Sequence, residues 1–373
     1  MTPDKLPALA ANPAPNARQA SLLQEALSAL EDPRALADRL PPHRIGPLLH
    51  WQINHYGLAA PSELRTALAA QALASRRQSA RTTGVAAAIT QCLAQAGIES
   101  VVLKGAALAH LAYAEPWLRP MDDVDVLVPE RAMPAVQAAL ESIGLILRPP
   151  RTRAERRNHH WPVAALDWQG RAVFVEVHLR VLNTRLGQPM PIDRLMRPLW
   201  GLQTPEGRLH ALHPEDFIAT QITRFRHLTE ILRAIALADV VGLAETQREH
   251  IDWQRLRRRV PGLREVFSAL QAATPLSPPL CEALGLDPQA ASGRINLATA
   301  GYEGWPVNAH LKRRVGRPAP RRLLRDTLRP NAWWARLAYG RSPRGGGRLC
   351  MLCLDHPRNL LAQSLRRLYH DGL

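Results

Sequence analysis

Apolar positions recur at helical spacing through the first quarter of the chain. Leu22, Leu23, Leu27 and Leu30 repeat at intervals of three and four, and Pro41-Pro42 and Pro61-Ser62 punctuate the pattern. From about Pro61 to Ala96 a long run rich in Ala and Arg predicts one helix, with Ser62 and Glu63 as its start signal. At Val101 the pattern changes. Val101-Val102-Leu103 is short, apolar and β-branched, which suits a buried strand. Lys104-Gly105 breaks it, and the strong helix formers of AALAHLAYA follow. Asp122-Asp123-Val124-Asp125-Val126-Leu127-Val128 then alternates polar and apolar, predicting a second strand with the valines facing a core.

Pro129-Glu130 opens a helix to Ser142, with Met133, Val136, Ala139 and Leu140 on one face. Gly144 ends it, and LILRP predicts extended structure. Asp167-Trp168-Gln169-Gly170 reads as a turn between two strands, the second being Val173-Phe174-Val175-Glu176-Val177-His178. Helical spacing returns after His213, with Phe217, Ile218, Ile222 and Phe225 on a face, then Ile231, Ile235 and Val240-Val241, then a further helix at Ile251-Asp252-Trp253. These elements predict an α+β fold: a small mixed β-sheet core at 97–182, flanked by a helical N-terminal region at 20–96 and a helical C-terminal region at 183–303. Residues 1–19, rich in Pro, Ala and Asn, read as a flexible leader, and 304–373 as a separate basic section.

Composition narrows the class. At 373 residues with 46% apolar content, the chain can bury a large core, which argues against global disorder. Its formal net charge of +16 comes almost entirely from Arg and predicts attraction to nucleotides, nucleic acid or anionic membrane. Four cysteines are too few for a disulfide scaffold in a chain this long. No apolar run is long enough to span a membrane, and the N-terminus lacks the basic head and apolar core of a signal peptide, so a cytoplasmic location is expected. In 304–373 Asp326 stands among Lys312, Arg313, Arg314, Arg317, Arg321, Arg322 and further arginines, interleaved with Trp305, Trp333, Trp334 and Tyr339. That composition fits either a solvated helix and loop or contact with a polyanion or membrane surface. Cys350-x-x-Cys353 with His356 falls short of the four ligands of a structural zinc site, so the two thiols are expected to sit on a helix.

The candidate chemistry lies between Gly97 and Val128. Strand alternation puts Asp123 and Asp125 on one face, about 6–7 Å apart at Cα. They repel unless a cation sits there, and Mg²⁺ is the cation that favours carboxylates together with substrate phosphates. Gly105 allows a sharp turn and a close ligand approach, and the helix that follows offers free N–H groups to a phosphate. Lys104 either neutralises phosphate charge or is a strand-end lysine in solvent. Arg119 either binds phosphate or pairs with Asp122. Glu176 and His178 share a strand face, and His178 either lines the site or is a hydrogen-bonded structural histidine.

LKGAAL, followed by Arg-x-x-x-Asp-x-Asp from Arg119 to Asp125, resembles the bacterial uncharacterised nucleotidyltransferase family of the polymerase-β-like nucleotidyltransferase superfamily. His43-Arg44-Ile45-Gly46-Pro47, His159-His160, Leu212-His213-Pro214-Glu215-Asp216 and Ala238-Asp239 agree in order, so the resemblance covers roughly 35–265. It implies that 97–182 is a nucleotidyltransferase catalytic core with Glu176 as third carboxylate. It implies a Mg²⁺-dependent, EC 2.7.7-type enzyme using an NTP, with ATP the first choice. Asp123, Asp125 and Glu176 would be catalytic and metal-holding, and Lys104, Gly105, Ala106 and Arg119 nucleotide-binding. Glu176 would also help deprotonate the acceptor hydroxyl. Alternatives are nucleotidylation of a partner protein, as in antitoxin-like relatives, or a non-catalytic nucleotide- or RNA-binding module. The superfamily's Gly-Ser after the first strand is here Gly105-Ala106, and the gap from Gly105 to Asp123 is longer than usual.

Overall fold

A computed structural model describes residues 6–14, 16–151, 160–181, 198–226 and 233–287, with isolated positions besides. The basic C-terminal section, with Cys350, Cys353 and His356, lies outside the described residues. The N-terminal helices are α1 (Leu6–Leu9), α2 (Ala17–Ser28), α3 (Pro33–His43) and α4 (Gly46–His55). The side chains of Asn16 and Asp32 cap α2 and α3 by accepting from the Gln19 and Ala35 N–H groups. The expected leader is instead packed. Leu6, Leu9, Ala10, Ala11 and Asn12 are buried. Gln52 donates to the carbonyls of Ala10 and Asn12 at 3.0 and 2.9 Å, and Asn12 donates to that of Pro275 at 3.1 Å. Buried amides on other segments thus satisfy an irregular backbone that has no periodicity of its own.

Helix α5 (Ser62–Gln95) is the long predicted helix, 34 residues in one piece. Leu64, Leu68, Ala72, Ser75, Ser79, Thr82, Ala86, Ile89 and Leu93 are all buried at steps of three or four. The small residues in the middle of that stripe let a sheet approach closely. The sheet has six strands in the order β3-β4-β2-β1-β6-β5. Strand β1 (Val101–Leu103) runs antiparallel to β2 (Asp123–Leu127), and β2 runs parallel to β4 (Arg171–His178). Parallel neighbours need a crossover, and α7 (Met133–Glu141) supplies it. Strand β3 (Ala164–Trp168) makes a hairpin with β4 through Gln169 and Gly170, whose φ values of 53° and 74° suit a two-residue turn of the left-handed kind.

Two differences from the sequence reading concern the sheet. β5 (Trp200–Thr204) and β6 (Gly207–Ala211) form a hairpin inside the stretch read as helical, and β6 joins β1 in parallel. Their alternation is muted, because Trp200, Leu202 and Thr204 are only half-buried. Residues 145–149 form no strand; Leu145 and Leu147 are buried without joining the ladder. Beyond the sheet, α6 (Gly105–Ala112) follows β1, and α8 (Pro214–Arg226), α9 (Ala234–Thr246), α10 (Trp253–Arg259), α11 (Leu263–Ala273) and α12 (Pro278–Leu284) complete the described helices. Helix α9 is buried along nearly its whole length and packs against α6. No described helix is long and apolar enough to cross a membrane.

Candidate active site

Register places the acidic residues in one row. Leu103 on β1 stands opposite Asp125 on β2, and Asp125 stands opposite Glu176 on β4. Asp123 lies one strand step from Asp125 on the same face. Val124, Val126, Val175 and Val177 point the other way and are fully buried, which locks the register because a one-residue slip would bury the carboxylates in their place.

Lys104 and His178 hold Asp125. Lys104 Nζ lies 3.0 Å and His178 Nε2 2.8 Å from its Oδ1, and His178 Nε2 also lies 3.3 Å from Glu176 Oε2. Burial pushes the Asp125 carboxyl up, but Lys104 and His178 outweigh it and hold the group well below the usual carboxylate range. Burial lowers His178 in turn, and its bonds to Asp125 and Glu176 reverse that, so the ring is raised above its ordinary value. The His178 bond holds Glu176 low as well. Asp123 goes the other way: burial, then the like charges of Asp125 and Glu176, raise it. That carboxylate is the one short of positive charge.

The turn between β1 and α6 differs from expectation in one respect. Lys104, not Gly105, takes the left-handed backbone, with φ 42°. A non-glycine residue there costs of order 1–3 kcal/mol, which the surrounding packing must offset. Gly105 is the first residue of α6. A Cβ on it would meet the Asp123 carbonyl oxygen at 3.5 Å and Met121 Sδ at 3.6 Å, both ordinary contacts. Packing within the chain therefore does not demand glycine at this position.

The model of the family described as "Uncharacterised nucleotidyltransferase" matches residues 30–274. The chain belongs to that family. No curated protein matches. Among solved structures, an antigenic nucleotidyltransferase-like protein from Paracoccidioides brasiliensis is similar over 55% of this chain and 98% of its own, at 15% identity and a TM-score of 0.34, and nothing below rests on it.

The candidate site gathers most of the residues singled out in the sequence. Lys104, Gly105 and Ala106 sit at the β1–α6 turn, and Asp123, Asp125, Glu176 and His178 on the adjoining face of the sheet. Arg119 takes neither of the roles weighed for it. Its guanidinium makes a two-point bond to Asp239 on α9, Nε to Oδ1 at 2.7 Å and Nη2 to Oδ2 at 2.8 Å, and Tyr113 Oη donates to Oδ1 at 2.8 Å. Asp122 pairs instead with Arg44, which ends α3 in the left-handed conformation and, after Lys104, opposes part of the rise at Asp123. His160 forms a β-bridge with His178, their rings 5.2 Å apart, whereas His159 lies outside the described residues. Arg44 as a site cation was not legible from spacing, because 78 residues separate it from Asp122.

Donor chemistry decides whether a metal fits. Ligand atoms of Asp125, Glu176 and His178 all lie within 4.8 Å of one another. His178 Nε2 faces two carboxylate oxygens and therefore carries a proton, which makes it a donor to them rather than a ligand. What remains is oxygen from Asp125, Glu176 and Asp123, hard donors with too little positive charge at Asp123. That set fits Mg²⁺.

Proposed function

We propose that this nucleotidyltransferase transfers a nucleoside monophosphate from an NTP, ATP being the first to test, to a hydroxyl or phosphate acceptor, with release of pyrophosphate. One observation carries the reading: Asp125 and Glu176 face each other in register, with Asp123 one step away, beside a lysine-bearing turn that opens a helix. Asp123, Asp125 and Glu176 would hold Mg²⁺, which when bound supplies neutralisation of the triphosphate and a lowered pKa for the acceptor hydroxyl.

The chain's own residues supply the rest. Lys104, half-exposed at the turn, brings its ammonium to the phosphates, and the N–H groups of Gly105 and Ala106 at the start of α6 donate to a phosphate oxygen. His178 donates to Asp125 and Glu176 together and fixes both carboxylates on one face. Glu176 takes the proton from an acceptor hydroxyl as the new oxygen–phosphorus bond forms and the bond to pyrophosphate breaks. The basic section at 304–373 adds attraction for a polyanionic acceptor or membrane surface by its charge alone.

Calorimetry of ATP binding with and without Mg²⁺, on wild type and on Asp123→Ala/Asp125→Ala, tests this. Binding that requires Mg²⁺ and is lost in the variant supports the site, and pyrophosphate release can then screen acceptors. Binding indifferent to both Mg²⁺ and the aspartates overturns the transferase reading in favour of a nucleotide-binding module.

A further inference from the structure

One large apolar side chain on the site face has no place in the mechanism above. Strand alternation on β4 sends Ala172, Phe174, Glu176 and His178 to the same side, opposite the buried Val173, Val175 and Val177. Phe174 is 52% exposed in mid-strand, where its register partner is Asp123. Across the hairpin its partner is Ala165, and Ala165 and Ala172 are both exposed and too small to cover a ring. Val163, just before β3, is also 52% exposed. A lone exposed apolar residue needs no explanation. This one is fixed by register beside the carboxylates and framed by alanines.

Its position within the site says which substrate it meets. The phosphate-binding turn follows β1, and β4 lies beyond β2 from β1. Phe174 is therefore on the flank away from that turn, next to Glu176, the residue to which the reading above assigns the acceptor's proton. Phe174 and Glu176 are two residues apart on one face, about 6–7 Å at Cα. A nucleobase and its own ribose hydroxyls are separated by a comparable span. A base lying on Phe174 would hold a ribose hydroxyl at the carboxylates.

We propose that Phe174 is the stacking platform for the acceptor, and that the acceptor is a ribonucleoside hydroxyl, free or at the end of single-stranded RNA. The proposal rests on the transferase reading. Only four phenylalanines occur in the chain, so protein labelled with 4-fluorophenylalanine gives a fluorine NMR spectrum in which Phe174→Leu identifies the Phe174 signal. The probes are adenosine, a five-residue oligoadenylate, methyl glucoside, and Mg²⁺ with a non-hydrolysable ATP analogue. The Phe174 signal is expected to move with adenosine or the oligoadenylate, and a response to the oligoadenylate at much lower concentration identifies an RNA end over a free nucleoside. Phe174→Ala should weaken that binding roughly 5- to 100-fold and Phe174→Trp restore it, the range expected for one base stacked on one aromatic ring.

Movement with the ATP analogue alone would assign the platform to the NTP base and overturn the proposal. Movement only with methyl glucoside would overturn the choice of a nucleobase, and no movement with any probe would overturn both. Calorimetry of Mg²⁺-ATP on the same sample separates the two levels. If that binding is intact, only the acceptor proposal falls; if it is absent, the transferase reading falls first.

Discussion

Removing the Asp239 carboxylate should cost more than any other single change near the site. Arg119 and Asp239 are 10% and 5% exposed, so water screens the pair little. Asp239→Ala leaves a buried guanidinium without its two-point partner and strips Tyr113 Oη of its acceptor. Truncating one side of such a pair costs about 3–5 kcal/mol, because the charge left behind stays buried. With a urea m-value near 3 kcal/mol/M, that lowers the unfolding midpoint by about 1–2 M. Tyr113→Phe deletes one hydrogen bond to a charged acceptor and should cost about 1.5–3 kcal/mol. Arg119→Met/Asp239→Leu removes both charges and should recover most of the loss, since a packed apolar pair can replace a buried ion pair at little cost. The consequence reaches the site, because Arg119 ends the short 3-10 turn Pro116–Leu118, four residues before Asp123, and α9 anchors that approach through Asp239. Urea unfolding followed by circular dichroism measures all four proteins. An Asp239→Ala variant within 1 kcal/mol of wild type, or a double variant that loses as much as Asp239→Ala, would refute the reasoning.

Gly105→Ala separates packing from ligand binding. The space found for a Cβ predicts unchanged or slightly raised stability, by up to about 1 kcal/mol for Gly to Ala within a helix, with ATP affinity reduced severalfold by calorimetry. Lost stability with ATP binding intact would mean that glycine serves the fold alone. His178 carries a pH dependence of definite sign. Its folded value lies above the ordinary 6.5, so the protonated ring contributes stability below that unfolded value, and the contribution disappears as pH rises through the folded one. In metal-free buffer wild type should lose more stability between pH 6 and 9 than His178→Gln does; equal losses in urea titrations would show the ring bound the same in both states.

The strands that carry the carboxylates were legible because their pattern is local. In Asp122–Val128 the period of two sorts carboxylates from valines with no knowledge of the rest of the chain, and Gln169-Gly170 announces its hairpin by residue type. The helix Ser62–Gln95 was legible for the same reason, its buried stripe being written at steps of three and four. What escaped was set by distance along the chain. Arg119 finds Asp239 across 120 residues, and the buried Ala-Ala-Asn segment is closed by Gln52, 40 residues on, so neither leaves a mark in spacing. The β5–β6 hairpin escaped for another reason: two short strands at a sheet edge alternate weakly because one face is half wet. The same logic explains why Arg119 looked like a phosphate ligand. A lone Arg near an acidic strand is ambiguous until its partner is known, and here a buried carboxylate on α9 claims it. Lys104 is claimed in the same way, by Asp125 at 3.0 Å, but it stays half-exposed at the turn where Arg119 is buried.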